Sequence, residues 1–188
     1  MSRRGTGELP APADREVITR RTVRVILVDP DRRQLLLGDT DPGMPGRSWW
    51  VVPGGGIDPG ETELEAAVRE VAEETGHHIL AEDLVGPLAR RRAVHGYSDQ
   101  VVDIVSETFY LVRVPAFEID TAGHTEDEKL TLAGHRWWPL AELADTDEWV
   151  WPAGLAELTE RGIAGDARCI DLGTMEESTL PVDPQFLA

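Results

Sequence analysis

Four glutamates, Glu63, Glu70, Glu73 and Glu74, stand in a stretch whose apolar residues Leu64, Ala67, Val68 and Val71 recur at helical spacing. On a wheel turning about 100° per residue with Glu70 at zero, Glu63 falls at about 20°, Glu74 at about 40° and Glu73 at about 300°. The apolar set spans about 60° to 160°, so the carboxylates flank one edge of the core stripe. Like charges three and four residues apart cost a helix ~0.2–0.5 kcal/mol each, and only Arg69 stands nearby to offset them. Two readings accommodate this. Solvated glutamate is a strong helix former, so the edge can be plain surface. Alternatively, clustered carboxylates suit a hard divalent cation such as Mg²⁺, which takes oxygen ligands and is commonly completed by substrate phosphate. Just upstream, Gly54-Gly55-Gly56 offers backbone that a ligand can approach closely.

The elements that must position these groups are legible. Thr62 and Glu65 form a capping box, and Gly76 sits where a left-handed residue ends a helix, so residues 62–76 are predicted helical. Before it, Val17–Val28 reads as a strand, Gln34–Leu37 as its short partner, 38–48 as a loop and Trp49–Val52 as a further strand. After it, Leu84–Val94 and Val101–Val114 are predicted as long strands, 115–130 as an acidic loop and His135–Trp138 as a strand. Pro139–Ala144 starts a helix, and 153–161 is another. Residues 1–16 read as a flexible leader, 17–149 as the main domain, and 150–188 as a helix with an irregular tail packed on or near it.

With 188 residues, 35 acids and 18 bases, the chain carries a net charge of −17. Residues 1–114 hold 19 acids and 14 bases, whereas 115–188 hold 16 and 4. Such a surplus opposes wrapping a nucleic-acid polymer or resting on an anionic membrane. The single cysteine, Cys169, excludes a disulfide and is expected as a buried small residue rather than a nucleophile. Neither a long apolar run nor a signal-peptide pattern is present, so a cytoplasmic location is expected.

The run Gly55-x5-Glu61-x7-Arg69-Glu70-Val71-x-Glu73-Glu74-x-Gly76 resembles the signature box of the Nudix hydrolases. The approach from Trp50 to Gly55 and the strand at Arg136-Trp137-Trp138 also resemble that family, so the likeness spans about residues 20–145. One position departs: His77 stands where the family usually has an aliphatic residue, which should weaken a packing contact beneath the helix end.

The resemblance implies an α/β fold, the Nudix α/β/α sandwich around a mixed, curved sheet. It implies Glu73 and Glu74 as the main metal carboxylates, Glu70 as a ligand or general base, and the carbonyl of Gly54 as a further ligand. Glu61 and Arg69 would be an ion pair supporting the loop. A further downstream carboxylate is expected, with Glu128 favoured over Glu126, Asp127 and Glu107. Catalytic roles thus fall to Glu70, Glu73 and Glu74, with Mg²⁺ as cofactor and Mn²⁺ as a substitute. The implied reaction is hydrolysis of a diphosphate linkage in a free nucleotide or nucleoside diphosphate conjugate, and the alternative is a non-catalytic nucleotide binder. A homodimer is left open. For substrate contacts, the residues themselves offer Trp50 for stacking on a base and Arg47 or Arg92 for phosphate, with Arg20, Arg24, Arg90 and Arg91 as further options. Pro87 and Tyr97 do not stand at the spacings that mark the ADP-ribose and dinucleoside polyphosphate subfamilies.

Overall fold

Strand β1 (Glu16–Val28) alternates its side chains between two separate cores. Val23, Val25 and Leu27 pack with Ala66, Ala67 and Val71 of helix α1 (Glu63–Thr75), whereas Ile26 and Val28 pack on the other side. That second core includes Leu140 and Leu143 of α3 (Leu140–Asp145) and Leu155 and Leu158 of α4 (Leu155–Ile163). A strand apolar on both faces needs cover on both, so the fold is the α/β/α sandwich expected. This computed structural model describes residues 14–125, 128–166 and 168–187.

The remaining elements are β2 (Arg33–Thr40), β3 (Ser48–Val51), β4 (Val85–Gly96), β5 (Gln100–Arg113), α2 (Glu128–Thr131), β6 (Leu132–Pro139), β7 (Val150–Trp151) and β8 (Ile170–Glu176). The sheet runs β7-β3-β2-β1-β5-β4-β8, with β6 also paired to β2. It is mixed: β1–β5, β3–β7 and β4–β8 are parallel, the other pairs antiparallel. No described helix is long and apolar enough to cross a membrane.

Helix α1 ends as its sequence predicts. Thr62 accepts from the Glu65 amide, Glu65 accepts from the Thr62 amide, and Gly76 takes φ 70°. Its buried face, however, is rotated from the expected stripe. Leu64 is exposed, and the buried set is Ala66, Ala67, Glu70, Val71, Glu74 and Thr75. The cause is the glycine turn, which packs on the side where the glutamates stand.

Several expectations are corrected. Strand β2 continues to Thr40 because β3 and β6 both pair with it, so the loop is shorter than 38–48. The segment 115–130 is not all loop: Thr121–Gly123 forms a 3-10 turn and α2 begins at Glu128. The tail is not irregular throughout, since β8 hydrogen-bonds alongside β4. Cys169 is exposed rather than buried, because it directly precedes this edge strand. Of the presumed leader, Arg15 is buried, donating to the carbonyls of Tyr97 and Pro181.

Candidate active site

The glycine turn is seated by its carbonyls. Those of Pro53 and Gly55 accept from the amides of Val25 (2.8 Å) and Val23 (3.0 Å) on β1. The carbonyl of Gly54 instead accepts from Nη1 of Arg24 at 2.8 Å. At Gly54, with φ 135°, a Cβ would fall 2.1 Å from the Val23 carbonyl oxygen. At Gly55 a Cβ would stand 2.7 Å from the carboxylate of Glu70. At Gly54 no other residue fits without shifting the β1 backbone, whereas at Gly55 a side chain would displace the Glu70 carboxylate.

Two of the helix carboxylates converge on this turn. Glu70 packs under Gly55, and Glu74 accepts from the Gly54 amide at 2.7 Å. Glu73 joins them through Arg69, whose Nη1 donates to Glu70 (2.7 Å) and Glu73 (3.1 Å). The rest of that guanidinium holds both oxygens of Glu61, at 2.9 and 2.8 Å, and the Gly56 carbonyl at 2.8 Å. Arg69 thus ties helix to turn, and its hydrogen bonds lower the Glu61 pKa. Burial pushes the Glu70 carboxyl above the ordinary glutamate range, against the pull of Arg69.

Glu70, Glu73, Glu74 and the Gly54 carbonyl are all oxygen donors, the kind that could hold a hard divalent ion. The cradle at Gly55, too tight for any side chain beside Glu70, is consistent with backbone left bare for a ligand. Among the described residues, no three acidic, histidine or cysteine side chains are already gathered into a metal-binding cluster. Instead Arg69 and the Gly54 amide engage the carboxylates.

The acidic segment that follows β5 is hydrogen-bonded to the end of α1. The Asp120 amide donates to the Thr75 carbonyl at 3.0 Å, and His124 Nε2 lies 2.8 Å from the Glu74 carbonyl oxygen. Glu126, Asp127 and the side chain of Glu128, the favoured downstream carboxylate, lie outside the described residues. Glu107 is committed elsewhere. Fully buried, it accepts from Arg24 (2.8 Å), Arg91 (2.5 Å) and the Thr22 hydroxyl (3.2 Å). Burial alone would raise its pKa, but the two arginines outweigh that and hold it at about 2.

The residues offered for substrate make other contacts. Trp50 donates its indole N–H to Glu148 at 2.6 Å and meets Trp138 edge-on, while Trp49 is buried against Trp151. Arg47 lies 5.7 Å from the Trp149 ring. Arg92 pairs with Asp103 at 2.9 Å and donates to the Phe186 carbonyl. Arg24, considered for phosphate, is bound to Glu107 and Gly54. His77 replaces the missing aliphatic contact by stacking on Phe117, with ring centroids 4.0 Å apart.

Sequence reasoning weighed Arg91 only for phosphate and missed its pairing with Glu177, made through both oxygens of Glu177 at 2.6 and 2.7 Å. No local signal marks that pairing: Arg91 stands between two further arginines, and Glu177 between Glu176 and Ser178.

The chain is similar to several known proteins. An RNA pyrophosphohydrolase of Sphingopyxis alaskensis is 32% identical over 104 residues, covering 50% of this chain and 63% of that protein. RNA pyrophosphohydrolases of Erythrobacter litoralis and Brucella anthropi match over shorter spans, 56% identical over 41 residues and 50% over 50, covering 22% and 27% of this chain and 23% and 28% of theirs. A putative 8-oxo-dGTP diphosphatase of Bacillus subtilis is 49% identical over 41 residues, 22% of this chain and 28% of that one. The chain therefore spans less than two thirds of each of these relatives. Among solved structures, a NUDIX hydrolase from Nitrosomonas europaea superposes with TM-score 0.53 at 21% identity, covering 79% of this chain and 91% of that one. The MutT protein of Methanosarcina mazei gives 0.52 at 19%, covering 82% and 99%. These two likenesses show the fold. The NUDIX domain family matches residues 18–159, most of the chain, and it is to this family that the chain belongs.

Proposed function

We propose that the chain is a divalent-metal-dependent hydrolase that cleaves a diphosphate linkage in a free nucleotide or nucleoside diphosphate conjugate. The observation that carries this reading is the convergence of Glu70 and Glu74 on one glycine turn, with Glu73 tied in through Arg69. Glu70, Glu73, Glu74 and the Gly54 carbonyl would hold Mg²⁺, with Mn²⁺ as a substitute. The chemistry such an ion supplies when bound is charge neutralisation at phosphate oxygens and acidification of water.

The chain's own groups supply position and a base. Arg69 holds Oε1 of Glu70, and Oε2 is assigned as the acceptor of the proton lost by the attacking water. Glu61 keeps Arg69 aligned, so its part is indirect.

The relatives named RNA pyrophosphohydrolase favour an RNA 5′ end as substrate, and the diphosphatase favours a free nucleotide. The net charge of −17 supports the smaller substrate, because a long polyanion is repelled by most of the surface. The deciding experiment is product release, with Mg²⁺ and with Mn²⁺, from nucleoside triphosphates and their deoxy forms, ADP-ribose, sugar nucleotides, dinucleoside polyphosphates and 5′-triphosphorylated RNA. Turnover of a free nucleotide or conjugate in preference to the RNA is expected. Preference for the RNA replaces the substrate class, and silence across the panel from natively folded protein moves the reading to a non-catalytic nucleotide binder.

A further inference from the structure

The segment beyond the family-matched residues reaches the glycine turn through a chain of direct contacts. Strand β8 lies along β4, and the residues after it continue the attachment: the amides of Glu177 and Thr179 donate to the carbonyls of Val94 and Gly96, both at 2.9 Å. This buries Glu177, whose two oxygens take two N–H groups of Arg91. The Arg91 Nε donates to Oε2 of Glu107 at 2.5 Å. Oε1 of Glu107 accepts from Arg24 at 2.8 Å, and Arg24 donates onward to the Gly54 carbonyl. Two cations and two anions balance along this relay. His95, whose Nδ1 lies 2.8 Å from the Glu177 carbonyl oxygen, is held neutral by burial with a pKa of about 4.

Stability alone is a poor reason for such a relay, because buried ion pairs are often matched by apolar packing of the same volume. Its end point supplies a better one. A carbonyl oxygen has two lone pairs, so a guanidinium fixed on one sets the direction of the other. The Arg24 charge also reaches Glu70 and Glu74. Left uncompensated, it would repel a cation bound by those groups. Glu107 compensates Arg24 fully only while Glu177 compensates Arg91.

We propose that Glu177 is a positioning residue for the metal seat, acting through Arg91, Glu107 and Arg24 to hold the Gly54 carbonyl and keep the charge beside it balanced. This rests on the reading that Gly54, Glu70, Glu73 and Glu74 hold a divalent ion. Residues outside the family-matched segment thereby set the affinity of a site inside it.

The test is Mn²⁺ binding by the full chain, read from the electron paramagnetic resonance signal of free Mn²⁺, with circular dichroism reporting the fold. Outer-shell changes at metal sites typically cost ~10–100-fold in affinity, so Glu177→Gln, which leaves one excess positive charge, is expected to raise the dissociation constant about tenfold. Arg91→Gln removes that charge from the other end and is expected to bind at least as tightly as the wild type. The double variant is expected to recover most of the loss. A purely structural contact would loosen the site from either end and loosen it further in the double variant. Wild-type affinity in natively folded Glu177→Gln overturns the proposal. Weakened binding in Arg91→Gln does so independently, even if Glu177→Gln does not fold. Wild-type protein that binds no Mn²⁺ overturns the metal reading itself, and this inference with it.

Discussion

Two ionic clusters grip carbonyls of the same glycine turn, Arg69 at Gly56 and Arg24 at Gly54, and they are built in contrasting ways. The Arg69 cluster is partly exposed and comes from one loop and the helix it leads into, with Glu61, Glu70 and Glu73 all close in sequence. The Arg24 cluster is deeper and draws on β1, β4, β5 and the end of β8, with Glu107 fully buried. Exposed pairs contribute little to stability, whereas breaking a buried pair strands a charge in the interior. The proposed metal carboxylates Glu70 and Glu73 therefore sit in the cluster that is cheaper to perturb, and the deeper cluster carries more of the fold.

The largest expected effects separate the two clusters by activity. Glu74→Gln or Glu73→Gln should cut metal-dependent turnover beyond the ~100-fold that outer-shell changes reach, with the circular dichroism unchanged. Near-wild-type rates in either variant would remove that residue from the site. Glu107→Ala should be felt first in the fold, destabilising it by ~3–5 kcal/mol through unpaired Arg24 and Arg91, as measured by urea unfolding. A loss below 1 kcal/mol would mean that the two arginines find other partners.

An intermediate effect sharpens the contrast through pH. His95 beside the inner cluster has its pKa lowered from 6.5 to about 4 by burial. Between those values the unfolded chain binds a proton that the folded chain refuses, so stability falls as pH drops from 6.5 towards 4. Glu107, held at about 2, adds a further loss only below its unfolded value near 4.5. His95→Gln should flatten the first slope in urea titrations at pH 7, 6 and 5, and an unchanged slope would contradict a neutral buried imidazole. Smallest of all, Leu64→Ser on the exposed face of α1 should change stability by less than ~0.5 kcal/mol. A loss of 2 kcal/mol or more would return Leu64 to the core.

The same contrast explains what could be read in advance. The capping box, Gly76, the Glu61–Arg69 spacing and the Glu70, Glu73 and Glu74 set are local, so one helix period and one turn specify them. Cover on both faces of β1 followed from the family resemblance, since the segment by itself reads only as a strand. Strand β8 was not legible, because its Asp171 and Gly173 lack strand character and its pairing comes from β4. Nor was the Arg91–Glu177 pair, since nothing local links residues 86 positions apart. Leu64 was misplaced because a wheel identifies an apolar stripe but not that a glycine turn pulls the helix towards its carboxylates.

The most direct test of the metal-seat reading is turnover of the best substrate in the panel after treatment with EDTA, followed by readdition of Mg²⁺. Turnover should vanish with the chelator and return with the ion in wild-type protein, and fail to return in Glu74→Gln. Turnover that persists unchanged in EDTA, or that Mg²⁺ restores equally in Glu74→Gln, would contradict a catalytic metal held by the helix carboxylates.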